Sequence, residues 1–244
     1  MSEVILWFFI YSSIGWIYEV LYATLTRHQW ENRGFLYGPS CPIYGVGAVS
    51  CILLLHNLTS WQIFLIGMVG ACVLEYVTAS TLERHFHAKW WDYSKVPLNI
   101  KGYICLPAAV GFGVAAILIK TCIHPYVSQF TKAIPYVMQD VLSYLLIALI
   151  AADLSLTIAS LTSINRKLEE VTASFDKKME DRYVKIGQSF SRSELLVMGK
   201  VKKFTNEKYD NFRDKLRIAN LKEKGKEISN KLGMSKTDEN EINR

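Results

Sequence analysis

Glu19 and Glu75 stand inside runs of otherwise apolar residues, Glu19 within residues 4–24 (VILWFFIYSSIGWIYEVLYAT) and Glu75 within residues 61–81 (WQIFLIGMVGACVLEYVTAST). A charged side chain at the centre of a membrane helix costs about 2.5–3.5 kcal/mol on insertion scales, so such groups are normally paired or face a cavity. Two chemistries fit. The carboxylates can line a polar cavity that takes a ligand, or they can be protonated or hydrogen-bonded cross-links between helices. The residues alone leave both open. Residues 137–162 add Asp140 and Asp153, of which Asp140 is close enough to an end to reach the interface.

Other polar groups gather in two stretches. Residues 32–45 (NRGFLYGPSCPIYG) contain Asn32, Arg33, Cys41 and Tyr44 among glycines and prolines that fix backbone shape. The stretch predicts a rigid, irregular approach to a helix, a geometry tolerated at membrane depth where protein or a water-filled cavity covers it. Trp90, Trp91, Asp92, Tyr93 and Ser94 follow the run that holds Glu75, with Asn99 and Cys105 beyond. Trp and Tyr favour the membrane interface, which explains the aromatics. Asp92 between them suits a short cap or a polar cavity. Glu83, His85 and His87 do not make a metal site, because two residues apart on a helix the histidines point to different faces. Cys41 and Cys105 read first as small buried hydrophobes and second as candidate nucleophiles. No CxxC pair, P-loop or GxGxxG fingerprint is present, so no cofactor and no nucleotide site is expected.

These residues must be positioned by membrane helices. Of 28 Lys/Arg and 22 Asp/Glu, residues 1–164 hold 8 and 8, which leaves 20 and 14 for residues 165–244. The first part is neutral and apolar, and the net charge of +6 sits on the last 80 residues. An ordinary soluble domain, a secreted disulfide scaffold and a wholly disordered chain are excluded. The fold class expected is all-α and polytopic, with a five-helix transmembrane domain over residues 1–164 and spans near 4–24, 41–58, 61–81, 103–123 and 137–162. Residues 41–58 form the weakest span, and a re-entrant segment is the alternative there. The first span lacks a basic flank and a cleavage site and is not expected to be a signal peptide.

Loop charges orient the bundle. Residues 25–40 and 82–102 carry six Lys/Arg, whereas residues 120–136 carry Lys120 and Lys132. The N-terminus is therefore expected outside and the C-terminus in the cytoplasm. In that orientation Glu19, Glu75, Cys41, Tyr44, Cys105 and both polar stretches fall at the cytoplasmic end. The expected cavity lining is Glu19, Arg33, Cys41, Tyr44, Glu75, Glu83, Trp91, Asp92, Tyr93, Asn99 and Cys105.

Residues 165–244 read as a charged, helical cytoplasmic tail, with the last dozen residues disordered. Ile164, Leu168, Val171, Phe175, Met179, Tyr183, Ile186 and Phe190 step by three or four, an amphipathic stripe that prolongs the fifth span. A second helical stretch is expected over about 200–232, with Val201, Phe204, Phe212, Leu216 and Leu221. Residues 165–232 suit a second copy, a partner helix or an anionic leaflet. Nucleic acid is not expected, since the acidic residues are interleaved with the basic ones and no binding motif occurs.

Gly15-Trp16-Ile17-Tyr18-Glu19, residues 32–45, Glu75, Trp91-Asp92-Tyr93-Ser94, Asn99, Gly102 and Ile104-Cys105-Leu106 occur in that order. Together, over about residues 1–125, they resemble the bacterial membrane family of putative ABC-transporter type IV proteins. The chain departs from that pattern at residues 107–111 (PAAVG), where the family has a more aromatic run. The resemblance implies a permease-like membrane component; with no P-loop in the chain, any ATP hydrolysis would come from a separate ATPase subunit, and the expected polar cavity suits a small polar or amphiphilic substrate at the inner membrane. Two other functions fit the residues: an intramembrane enzyme acting on a lipid or lipid-linked substrate, with Glu19 or Glu75 as base or Cys105 as nucleophile, and a scaffold acting through its tail.

Overall fold

A computed structural model describes residues 1–27, 34–55, 57–173, 190, 191, 193, 194, 203 and 204, with side chains up to Lys167 and at 190, 191, 193 and 194. Six α-helices carry the fold: α1 (Ser2–Arg27), α2 (Pro42–Leu54), α3 (Ser60–Phe86), α4 (Leu106–Leu118), α5 (His124–Ala133) and α6 (Tyr136–Ala173). A π-helical turn, Ile119–Ile123, joins α4 to α5, so that Leu106–Ala133 is one continuous apolar helix. Among the described residues four helices are long and apolar enough to cross a membrane: Ser2–Leu25, Ser60–Phe86, Leu106–Ala133 and Tyr136–Lys167.

The fifth apolar helix is shorter. At 1.5 Å per residue the 13 residues of α2 reach about 20 Å, against a hydrocarbon core of about 30 Å. Pro42 starts α2 at a position that needs no N–H, and the helix stops at Leu55, whose φ of −106° and ψ of 24° leave the helical region. The fourth helix differs in the other direction. Expected to end near residue 123, it runs to Ala133, because the π turn absorbs the polar Lys120 and the His124–Pro125 step without breaking the helix.

The helices pack in two close pairs, α1 on α2 and α3 on α4, with α6 lying against α1. Gly45 makes the first pair possible: a Cβ there would come within 2.2 Å of Ser12 Oγ and 2.6 Å of the Phe8 carbonyl oxygen. Cys51, Leu55, Ile63 and Ala116 form a buried apolar cluster where α2, α3 and α4 meet. Val69, Val73 and Val77 are exposed along α3 at four-residue spacing, the face that suits lipid.

Three short strands interrupt the helical expectation between α3 and α4. β1 (Ala88–Lys89) follows α3 directly, and β2 (Asn99–Ile100) pairs antiparallel with β3 (Ile104–Cys105), Asn99 opposite Cys105. A fourth, β4 (Lys203–Phe204), pairs antiparallel with β1, Ala88 opposite Phe204. That corrects the tail at one point, since residues 203 and 204 are extended where a helix over 200–232 was expected; the backbone pairing with β1 takes the place of helical hydrogen bonds. The stripe from Ile164 is helical to Ala173, and its remaining positions up to Ile186 lie outside the described residues, as does the rest of the second stretch.

Gly45→Ala is expected to lower the stability of the detergent-solubilised protein by about 1–3 kcal/mol, the range for overpacking. Gly70→Ala, where a Cβ meets nothing within 4 Å, is expected to be neutral or slightly stabilising. Thermal unfolding of the two variants side by side checks the difference.

Candidate functional site

The end of the bundle at Arg27 gathers the polar groups. Glu19, on the last third of α1, accepts a hydrogen bond from the Tyr44 hydroxyl on α2 at 2.6 Å. Glu75, on α3 and only 7% exposed, accepts one from the Tyr93 hydroxyl at 3.3 Å through Oε1. Its Oε2 is buried with no hydrogen-bond partner among the described residues. Each carboxylate is thus met by a tyrosine from a different element. Burial first, then the neighbouring Glu75, Cys105 and Glu19, push the Tyr93 phenol well above the usual tyrosine range. Cys41 and Cys105 are both buried and immediately precede α2 and α4, so two helix N-termini begin at this end.

The loop segments that frame the cluster are held by their own side chains. Asp92 accepts the Ser94 N–H at 3.0 Å, an Asx turn, and Asn99 donates to the Val96 carbonyl at 2.7 Å while accepting the Gly102 N–H at 3.1 Å. Gly102 has a φ of +71°, and a Cβ there would stand 2.7 Å from Asp92 Oδ1. Trp91 Nε1 donates to the Tyr103 carbonyl at 2.8 Å. Asp92, Asn99 and Trp91 bond to loop backbone, while Tyr93 reaches an intramembrane carboxylate. Glu83 faces Lys89 at 3.5 Å, and its hydrogen bond to Tyr103, with burial second, pushes that phenol up to about 12. His87 takes the left-handed position that ends α3, at φ 51°. Arg33 lies outside the described residues.

Asp153 is the residue that sequence reasoning left out of the lining. From α6 it accepts the backbone N–H of Tyr37 at 2.9 Å and of Gly38 at 2.8 Å. Tyr37 also donates to Ser160 at 2.8 Å. The irregular segment before α2 is thereby pinned to α6, and Phe35 packs on the buried Trp90 with ring centroids 5.2 Å apart, which ties it to the loop after α3.

Part of the tail joins the same end. Glu194 accepts from Lys167 at 2.8 Å, Ser163 at 2.5 Å and the Ser191 N–H at 2.7 Å. Burial alone would raise its carboxyl, but these bonds from Lys167, Ser163 and Ser191 outweigh it and hold it at about 2. The Tyr37 hydroxyl reaches the Ser193 carbonyl at 3.2 Å, and Lys167 lies over the Phe190 ring at 5.0 Å.

A family model described as Putative ABC-transporter type IV matches residues 6–158, well over half of the chain and all of this cluster. The chain belongs to that family. No curated protein and no solved structure matches it. The type IV match ends inside α6, so the Glu194 contacts and β4 lie beyond the matched residues.

Asp153→Ala orphans two backbone N–H groups, which costs about 1–3 kcal/mol each when buried. Faster labelling of Cys41 by a thiol reagent is the expected result, with Asp153→Asn intermediate. Glu194 gives a pH dependence with a defined sign. Its carboxyl is lower in the folded protein than its ordinary 4.5, so its contribution to tail docking is complete above that value and is lost as pH falls through about 2. Protease protection of residues 190–204 should therefore hold above pH 4.5 and decline below it, and Glu194→Gln should flatten the decline.

Proposed function

We propose that the protein is the permease-like membrane component of a transporter, with the Glu19–Tyr44 and Glu75–Tyr93 pairs as the polar centre of its substrate path. The observation that carries this reading is the buried Glu75 Oε2 with no partner among the described residues, beside a second intramembrane carboxylate. A carboxylate oxygen kept in an apolar bundle without a hydrogen bond is destabilising by about 1–3 kcal/mol or more, and a ligand or proton that arrives in turn relieves it. Family membership supports an ATPase subunit as partner. We place the N-terminus outside and the C-terminus in the cytoplasm of the inner membrane, with α2 as a fifth crossing that is short; the loop charges support this orientation. Cys41, Cys105, Glu83, Trp91, Asp92 and Asn99 then frame a path open to the cytoplasm, and the substrate class is small and polar or amphiphilic.

Purification of the full-length protein from its native cells in a gentle detergent, with mass spectrometry of proteins and lipids together, tests the reading. A stoichiometric ATPase is the expected outcome; its absence alongside one enriched lipid species overturns it in favour of an intramembrane enzyme. In the purified complex, Glu75→Gln is expected to lower substrate-stimulated ATP hydrolysis at least about tenfold, a barrier change of about 1.4 kcal/mol. Expression should stay near normal. Loss of folded protein instead would make Glu75 a helix cross-link.

A further inference from the structure

A cavity of about 400 Å³ opens near the Met1 end of the bundle, lined by Trp7, Ile52, Leu53, Lys120 and His124. It lies at the opposite end from the Glu19–Glu75 cluster, and the function proposed above makes no use of it. Its wall divides by chemistry into a cationic and hydrogen-bonding part, Lys120 and His124, and an apolar part, Ile52, Leu53 and the Trp7 ring.

The polar pair is held in place from several sides. Lys120 sits in the π turn, a feature that is frequent at functional sites, and donates to the Leu55 carbonyl oxygen at the end of α2. An ammonium has three protons, and one carbonyl bond leaves two for a ligand. The Tyr11 hydroxyl lies 3.3 Å from His124 Nδ1, and the Trp7 ring meets the imidazole edge-on with centroids 4.6 Å apart. Trp7 is itself fixed by donating to Thr131 at 3.1 Å. The carboxylates at this end have partners of their own, Glu3 with Thr131 at 3.1 Å and Asp140 with Ser2.

Depth selects the ligand. The polar turn between α2 and α3 carries Asn57 and Thr59, the exposed Trp61 follows in the first turn of α3, a composition that suits a membrane interface, and Lys120 bonds to the residue that opens that turn. One residue before it, Leu54 is 74% exposed and suits hydrocarbon. The cavity therefore sets a cation, bonded to the end of that turn, beside an apolar wall. We propose that this cavity binds the phosphate headgroup of an anionic phospholipid, with Lys120 and His124 on the phosphate and Ile52 and Leu53 along the first acyl methylenes.

The test titrates the full-length, detergent-purified protein with phosphatidylglycerol, phosphatidylcholine or inorganic phosphate, and reads retained lipid by native mass spectrometry and the melting temperature. Wild type should retain phosphatidylglycerol over phosphatidylcholine by about fivefold, the factor expected of one interfacial cation. Lys120→Gln keeps a donor for Leu55 and should reduce that preference to about one, with little change in the lipid-free melting temperature. Equal retention of the two lipids, or a preference that survives in Lys120→Gln, overturns the proposal. So does inorganic phosphate that stabilises as well as the lipid. Should Lys120→Gln fail to fold, His124→Gln carries the same comparison, and the wild-type lipid preference stands or falls without either variant.

Discussion

Backbone that is not helical has to find hydrogen-bond partners when it lies against a membrane bundle, and Asp153 supplies them to Tyr37 and Gly38. From that one carboxylate the arrangement of this end follows. The anchored segment sets where Pro42 can start α2, and Cys41 N–H completes the junction by donating to the Ser12 carbonyl of α1 at 2.9 Å. With α2 fixed, Tyr44 reaches Glu19 and Gly45 lets α1 approach. An intramembrane acid is usually read as a functional group. Here one of the acids serves the backbone, and its service positions the residues around two others.

The loop between α3 and α4 solves the same problem with smaller means. Asp92, Asn99 and Gly102 close a compact turn on their own peptide groups, the β2–β3 pair leads into α4, and Tyr93 and Tyr103 reach back to α3, Tyr93 to Glu75 and Tyr103 to the Tyr76 ring. Positive φ at Leu98, Lys101 and Gly102 marks how tightly the chain is folded there. A rigid turn that delivers one phenol to one carboxylate gives the site definite geometry without long helices.

Much of this was legible in the sequence. Glu19 and Glu75 stood out because charge is rare in apolar runs, and Tyr44 and Tyr93 were among the expected lining. The pairing of each acid with its tyrosine was not legible, since contacts between separate helices leave no spacing to count. Asp153 was visible as an acid but not as a backbone acceptor, because its partners are peptide N–H groups some 115 residues away and any residue but proline could supply them. The length of the fourth helix escaped notice because a π turn breaks the 3.6-residue period on which helix ends are judged. Lys120 was consequently counted with the charges of residues 120–136, at the end of the expected span, and His124 was not singled out. Two-residue strands such as β1 and β4 carry too little alternation to be seen at all.

The pairing of β1 with β4 carries a consequence for the order in which the molecule is completed. Ala88 is made long before Phe204, its partner across the ladder. At about 5–20 residues per second, the strand edge waits roughly 6–25 seconds on the ribosome for its other half. During that interval α4, α5 and α6 emerge and can enter the bilayer while the edge beside Trp90 is still uncovered. The tail then closes it last, so this edge of the bundle is sealed by a piece of chain that can arrive only after the helices α1 to α6 have been synthesised.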